Sequence, residues 1–187
     1  MSDHPFGMSA WIVLGGLSAA AAPAGAQGWH PDAAFVQVGA GDRTSSLSAG
    51  LQWTWGNEWR MGRALVLSGR WEVGLGRWRA ESSGLGSSWA WTTQLSAVPA
   101  LRLSSAGRRG AYVEVGIGPS LLLPIYRSSD RRFTTKLNFQ DHVAAGYVWG
   151  DHGLHDVGLR FDHYSNAGIR QPNPGVELAS IRYTHRF

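Results

Sequence analysis

Residues 47 to 55 read Leu47-Ser48-Ala49-Gly50-Leu51-Gln52-Trp53-Thr54-Trp55, with an apolar residue at every odd position. The even positions carry only glycine or polar residues. Because successive side chains of a β-strand point to opposite faces, this alternation predicts a strand with one apolar and one polar face. A run of this length is also enough for a tilted strand to cross the hydrocarbon core of a membrane.

The same alternation recurs along the chain, between turn signals rich in Gly, Ser and Asn. Three further runs show it clearly, and their apolar faces are Leu65, Leu67, Trp71, Val73 and Leu75, then Trp89, Trp91, Leu95, Ala97 and Leu101, then Val113, Val115, Ile117, Leu121 and Leu123. Four less regular runs complete a set of eight strands, at Ala33–Gly41, Asn138–Trp149, Leu154–Ser165 and Glu177–Phe187.

The sixth strand is the least regular of the eight. Asp141 falls on the face that it would share with Phe139, Val143, Ala145 and Tyr147. Three explanations remain open at this point: a position at the rim of the sheet, a neighbouring β-bulge, or a shift in the assumed register.

The polar faces of the strands carry charge, at Arg70, Glu72, Arg102 and Glu114. Charged residues make up only 16% of the chain, below the roughly 25% usual in soluble domains. Tryptophans lie near the strand ends, as in the aromatic girdles of membrane barrels. We therefore expect an all-β, eight-stranded antiparallel transmembrane β-barrel, with apolar faces in lipid and paired charges in the lumen. A soluble exported barrel that binds a small apolar ligand is an alternative.

The first residues favour export. An apolar run from Met8 to Ala22 precedes Ala24-Gly25-Ala26, small residues of the kind found at cleavage sites, although no Lys or Arg precedes the run. We expect residues 1–26 to be a signal peptide and residues 27–187 to form the barrel. The alternating run that ends in Phe187 resembles the C-terminal signal of bacterial outer-membrane barrels, which predicts localisation in the bacterial outer membrane.

The formal net charge of +4 and a basic pI indicate an anionic partner. Nucleic acid and phosphorylated lipid both satisfy this condition, and the membrane pattern favours lipid and no nucleic acid. The chain has no cysteine, which excludes disulfides and thiolate metal sites. The histidines at positions 142, 152, 155 and 185 show no metal-ligand spacing. We therefore expect no metal and no cofactor.

Connectivity assigns the turns to two sides. With both ends of the barrel in the periplasm, the periplasmic turns are 56–62, 104–110 and 150–153. The outer loops are 42–44, 80–87, 127–136 and 166–176. The third outer loop is basic, with Arg127, Arg131, Arg132 and Lys136. Such a loop suits the phosphates of an anionic lipid.

The segment most informative about chemistry is Phe161-Asp162-His163-Tyr164-Ser165-Asn166-Ala167-Gly168, followed by Asn173-Pro174-Gly175-Val176-Glu177. It resembles the PagL family of lipid A 3-O-deacylases, with its His-x-Ser-Asn-Ala-Gly run, Asn-Pro-Gly and following Glu. The resemblance is strong over about the last 30 residues. It implies an eight-stranded outer-membrane barrel with a serine hydrolase site.

By position in the motif, Ser165 would be the nucleophile, His163 the general base and Glu177 the group that orients the imidazole. The resemblance also suggests an oxyanion hole, which we assign to the Asn166 side chain and the Gly168 backbone N–H. A serine hydroxyl needs a base that removes its proton, and a carboxylate stabilises the resulting imidazolium. No metal is required by this chemistry.

The spacing of the three residues gives a separate prediction. His163 and Ser165 are two apart and therefore share a strand face, the one expected to face lipid. Glu177 shares the face of Ala179 and Ile181 on the next strand. All three should meet at the outer end of one hairpin, facing the membrane, where polar groups are costly and usually functional. Unrelated structural roles at the rim are the alternative.

The leading hypothesis is therefore a lipid A 3-O-deacylase, a serine esterase that releases a 3-hydroxy fatty acid from lipopolysaccharide in the outer leaflet. A non-catalytic outer-membrane barrel that binds or stabilises lipopolysaccharide is the alternative. The sequence leaves open the acyl-chain preference, the oligomeric state (a homodimer included) and latency of the activity in the native membrane.

Overall fold

A computed structural model describes residues 30–82 and 89–187. The predicted signal peptide, residues 1–26, lies outside the described residues, as does most of the predicted loop at 80–87. The strands are β1 (Ala33–Gly41), β2 (Thr44–Met61), β3 (Leu65–Glu81), β4 (Trp89–Ser105), β5 (Gly110–Leu123), β6 (Leu137–Trp149), β7 (His155–Ser165) and β8 (Val176–Arg186).

These strands form one closed antiparallel barrel, which confirms the predicted fold class. Each strand pairs with the next, and β1 pairs with β8 to complete the ring. The connections alternate between two ends of the barrel. One end, the long-loop end, carries residues 42–43, 124–136 and 166–175; the other, the short-turn end, carries residues 62–64, 106–109 and 150–154.

The outer wall of the barrel is apolar, because the alternating apolar residues point away from the lumen. Leu47, Leu75, Val115 and Leu159 are each more than half exposed on this wall. Exposed aromatic residues lie near both barrel ends, with Trp59, Tyr147, Trp149 and Tyr183 at the short-turn end and Trp89 and Trp91 at the long-loop end. An apolar band between aromatic belts is the surface of a barrel that spans a membrane. Among the described residues, no helix is long and apolar enough to cross one.

The lumen holds the charged residues, and they pair with one another as predicted. Arg102 Nε donates to Glu114 Oε2 at 2.7 Å, and Arg160 Nη1 donates to Glu72 Oε2 at 2.9 Å. Arg160 also contacts Asp162, and every one of these side chains is almost fully buried. Each buried charge therefore has an opposite partner, which is the condition for keeping it away from water.

At the long-loop end the polar lumen gives way to an apolar cluster of Trp78, Ala80, Leu122, Tyr126, Phe133, Tyr164, Val176 and Leu178. The Trp78 and Tyr164 rings meet edge to face, with centroids 4.5 Å apart. Tyr126 and Phe133 come from the β5–β6 loop (residues 124–136). This loop therefore folds into the barrel mouth and closes it.

One sequence expectation needs correction, and the open question about Asp141 has an answer. The segment 56–62 is not all turn: β2 continues to Met61 through an irregularity between Thr54 and Glu58, and only residues 62–64 turn the chain. Extra residues inserted into one strand interrupt the alternation locally, so the pattern imitates a turn. Asp141, in contrast, needs neither a bulge nor a new register. It lies in regular pairing opposite His163.

Candidate active site

His163 and Glu177 face each other across neighbouring strands. The two residues are register partners of β7 and β8, and His163 Nδ1 lies 3.1 Å from Glu177 Oε1. Both side chains are partly exposed, at 36% and 44%. A carboxylate at Nδ1 leaves Nε2 as the basic nitrogen, which is the arrangement that a histidine general base requires.

Ser165 is the next outward-facing residue after His163 on β7. In both strands the outward positions alternate with buried lumenal ones, such as Asp162 and Tyr164. The predicted shared face is therefore observed: all three proposed catalytic residues lie on the outer wall at the long-loop end. Ser165 Oγ accepts a long hydrogen bond from Ala167 N–H at 3.4 Å, and no described hydrogen bond joins it to His163.

The β7–β8 loop (residues 166–175) is organised around the Asn166 side chain, which is buried. Its Oδ1 accepts from Gly168 N–H at 3.0 Å, and its Nδ2 donates to Arg170 O at 2.7 Å. Asn173 Oδ1 in turn accepts from Asn166 N–H at 3.0 Å. Asn166 Nδ2 also donates to Thr134 Oγ1 of the β5–β6 loop at 3.2 Å. Both donors expected to form an oxyanion hole are therefore engaged, and the Ala167 N–H is the backbone donor that contacts Ser165.

Gly175, the residue just before β8, has a backbone conformation and surroundings that favour glycine. Its φ of +67° is a left-handed conformation that residues with a Cβ rarely adopt. A Cβ at this position would also lie 2.9 Å from His163 Cε1. The Asn173-Pro174-Gly175 turn thus brings backbone against the imidazole and leads directly into β8, whose second residue is Glu177.

Two charged residues near the site lie outside the sequence motif. Arg131, from the β5–β6 loop, donates from Nη1 to Glu177 Oε2 at 3.3 Å. Asp141 of β6 is the register partner of His163 on the side away from Glu177. The position of Asp141 on an apolar strand face could have indicated a role near the site from the sequence alone. Nothing in the sequence distinguishes Arg131 from the other cations of its loop.

An apolar groove on the outer wall lies beside the histidine–glutamate pair. It crosses β6, β7, β8 and β1, and its side-chain lining is Val38, Ala40, Val143, Ala145, Leu159, Phe161, Ala179 and Ile181. From His163 and Glu177 toward the short-turn end, the next outward residues are Phe161 and Ala179, about 7 Å along the strands. Small side chains at Ala40, Ala145 and Ala179 form its floor. An acyl chain has the shape and polarity that fit such a groove.

The closed eight-stranded barrel has an apolar outer wall and a charged lumen, and a His–Glu pair lies beside a serine on that wall. These features define a transmembrane β-barrel with a hydrolase-like site. The sequence profile of the PagL family, described as lipid A 3-O-deacylase, matches residues 45–186. The chain is 33% identical over 161 residues to the lipid A deacylase PagL of Pseudomonas aeruginosa, covering 86% of this chain and 87% of that protein. The chain therefore belongs to the PagL family.

Two further comparisons agree with this assignment. The lipid A deacylase PagL of Bordetella bronchiseptica is 34% identical over 117 residues, which is 62% of this chain and 61% of that protein. A crystal structure of the outer membrane enzyme PagL superposes with a TM-score of 0.71 at 31% identity, covering 83% of this chain and 99% of the other. The expected family, fold and membrane barrel are thus confirmed.

Proposed function

We propose that this outer-membrane protein hydrolyses the 3-position acyl ester of lipid A, with Ser165 as nucleophile, His163 as general base and Glu177 as the orienting carboxylate. The observation that carries the proposal is the His163–Glu177 pair on the outer wall, with Ser165 on the same face and an apolar groove directly beside it. The relatives named above are deacylases, whereas nothing comparable favours a non-catalytic lipopolysaccharide-binding barrel.

The reaction follows ordinary serine-esterase steps. His163 Nε2 takes the proton of Ser165 Oγ as the oxygen attacks the ester carbonyl. The tetrahedral intermediate collapses, and His163 returns the proton to the departing 3-hydroxyl of lipid A. Water, activated by the same imidazole, then releases the 3-hydroxy fatty acid from Ser165. Glu177 stabilises the imidazolium in both halves of the reaction.

Oxyanion stabilisation is assigned to the β7–β8 loop. The Gly168 N–H and the Asn166 amide are the proposed donors, and each would exchange a present hydrogen bond for one to the substrate oxygen. The Ala167 N–H already points at the nucleophile. One such donor is worth about 10²- to 10³-fold in turnover in other hydrolases.

The proposed orientation places the long-loop end outside the cell. The site then faces the outer leaflet, where lipopolysaccharide resides, and a side chain on the outer wall reaches a bilayer lipid directly. A lumenal site would be separated from that lipid by the barrel wall. The other basic residues of the β5–β6 loop, Arg127, Arg132 and Lys136, would face the lipid A phosphates at this level.

Mass spectrometry of lipid A from expressing cells tests the proposal. Wild-type protein should remove the mass of one hydroxyacyl chain, and Ser165→Ala should not. Ser45→Ala is the matched control, because Ser45 is also an outward-facing serine at the long-loop end, on β2. It should behave as the wild type.

Each outcome is decisive when the variants are shown to be folded in the membrane fraction by heat-modifiable mobility. Deacylation by Ser165→Ala would eliminate Ser165 as the nucleophile. Lipid A that stays unchanged both in cells and with purified, folded wild-type protein in detergent would reject the enzymatic function and leave the binding alternative, whereas a change only in detergent would indicate latency in the membrane.

A further inference from the structure

The β5–β6 loop is anchored in the barrel mouth by two aromatic side chains. Tyr126 and Phe133 are both almost fully buried, and their ring centroids lie 5.3 Å apart. The Tyr126 hydroxyl is 2.7 Å from Thr44 Oγ1 at the start of β2. The two anchors hold both ends of the loop against the barrel, so the residues between them have a defined position.

The tip of this loop is also held by its own hydrogen bonds. Ser128 N–H donates to Arg131 O at 2.8 Å, and Arg131 N–H donates to Ser128 Oγ at 3.1 Å. The Ser128 hydroxyl donates to Asp130, and this bond lowers the pKa of the Asp130 carboxyl below its ordinary value. The turn therefore presents Arg131 from a fixed backbone and beside an ionised carboxylate.

The Arg131 guanidinium reaches across to the strand that carries Glu177. Its Nη1 donates to Glu177 Oε2 at 3.3 Å and to Gly175 O at 3.2 Å, and its Nη2 lies 3.5 Å from Asp42 Oδ2. Only 29% of the Arg131 side chain is exposed. The two carboxylate oxygens of Glu177 thus have different partners: Oε1 faces His163 and Oε2 faces Arg131.

We infer that Arg131 is a positioning residue for the triad, which holds the Glu177 carboxylate so that Oε1 points at His163. The inference rests on the proposed function and extends it to a loop that the catalytic motif does not include. A carboxylate with one oxygen fixed has less freedom to rotate away from the imidazole, so the histidine stays oriented for proton transfer. The bond to Gly175 O fixes the backbone just before Glu177 in the same way.

Loss of this contact should affect turnover and not substrate binding. We expect Arg131→Gln to lower kcat about tenfold, the scale of one lost charge-assisted hydrogen bond, with KM nearly unchanged. Arg131→Lys should recover part of the loss, because an ammonium can approach Oε2 but cannot bond Oε2 and Gly175 O in the same geometry.

A double-mutant cycle with purified protein and lipid A separates positioning from loop structure. If Arg131 acts through Glu177, the Arg131→Gln substitution should cost little in a Glu177→Gln background. Equal losses in both backgrounds would overturn the inference, since they would show an independent role. A rise in KM at constant kcat would also overturn it, because Arg131 would then contact the substrate.

Control variants distinguish a failure of the proposed function from a failure of the role inferred for Arg131. Arg79→Gln removes the same charge from an exposed side chain of β3, at the long-loop end but outside the β5–β6 loop. It should leave kcat unchanged. Heat-modifiable mobility must show that every variant is folded. An inactive wild type would reject the proposed function itself, whereas an active wild type, an inactive Ser165→Ala and an additive cycle would reject only the role of Arg131.

Discussion

Two histidine–glutamate pairs lie on neighbouring parts of this barrel and face opposite sides of its wall. His142 of β6 faces the lumen, with Nε2 at 3.5 Å from Glu114 Oε1 and none of its side chain exposed. His163 of β7 faces outward, bonded to Glu177 and about one third exposed.

The partners of the two carboxylates differ even more than their exposure. Glu114 lies between Arg70, Arg102 and Arg160, all of them buried. Glu177 forms a described ion pair with one arginine, Arg131, and the imidazole that it contacts is open to the membrane. The same two residue types therefore fill space and balance charge in the lumen, whereas on the wall they remain accessible to a substrate. Access to the outside of the barrel therefore separates the site from the scaffold.

The largest expected difference comes from the two histidines themselves. His163→Gln should lower kcat by about 10⁴-fold or more, because no base then removes the Ser165 proton. His142→Gln should keep turnover within about tenfold while it lowers the unfolding temperature. Assays on purified, folded protein and heat-modifiable mobility measure the two effects. A folded but inactive His142→Gln would show that the lumen takes part in the chemistry.

A smaller effect is expected from filling the groove. Ala179→Trp places an indole on the groove floor beside Glu177, and we expect kcat/KM to fall about 10- to 100-fold. Ala97→Trp, on the outward face of β4 and on the opposite side of the barrel from the groove, is the control and should leave kcat/KM unchanged. Equal activity of the two variants in a lipid A assay would mean that the acyl chain binds elsewhere.

The smallest effect should come from Asp141, the outward carboxylate on the other side of His163. It adds negative charge near the imidazolium, but the described hydrogen bond of His163 goes to Glu177. We expect Asp141→Asn to lower kcat about two- to fivefold, as for a partly exposed ion pair. Steady-state kinetics beside Glu177→Gln provide the comparison. A loss as large as that of Glu177→Gln would make Asp141 the principal carboxylate of the site.

Strand alternation accounts for most of what could be predicted from the sequence. Because the period of two is fixed, the positions of His163, Ser165 and Glu177 in the sequence determine their common face. The charges at Arg102 and Glu114 were assigned to the lumen for the same reason, and they are paired there.

Features that depend on register or on loop structure were not accessible in the same way. The pairing of Asp141 with His163 follows from the turn that joins β6 to β7, which alternation alone does not specify. The bond between Arg131 and Glu177 joins residues 46 apart in the chain. The engagement of the Asn166 amide depends on how residues 166–173 fold back on themselves. Each of these three contacts can be recognised only when the path of the backbone in space is known.

The charged lumen and the aromatic closure above it have a consequence for the cell envelope. Larger barrels let small hydrophilic solutes diffuse through a wet interior, and eight strands leave room only for side chains. Through the described strands and loops, the interior is occupied by paired arginines and carboxylates and then by packed rings. The described part of the barrel therefore offers no open water-filled passage, so additional copies of this protein should not add a diffusion route for small hydrophilic solutes.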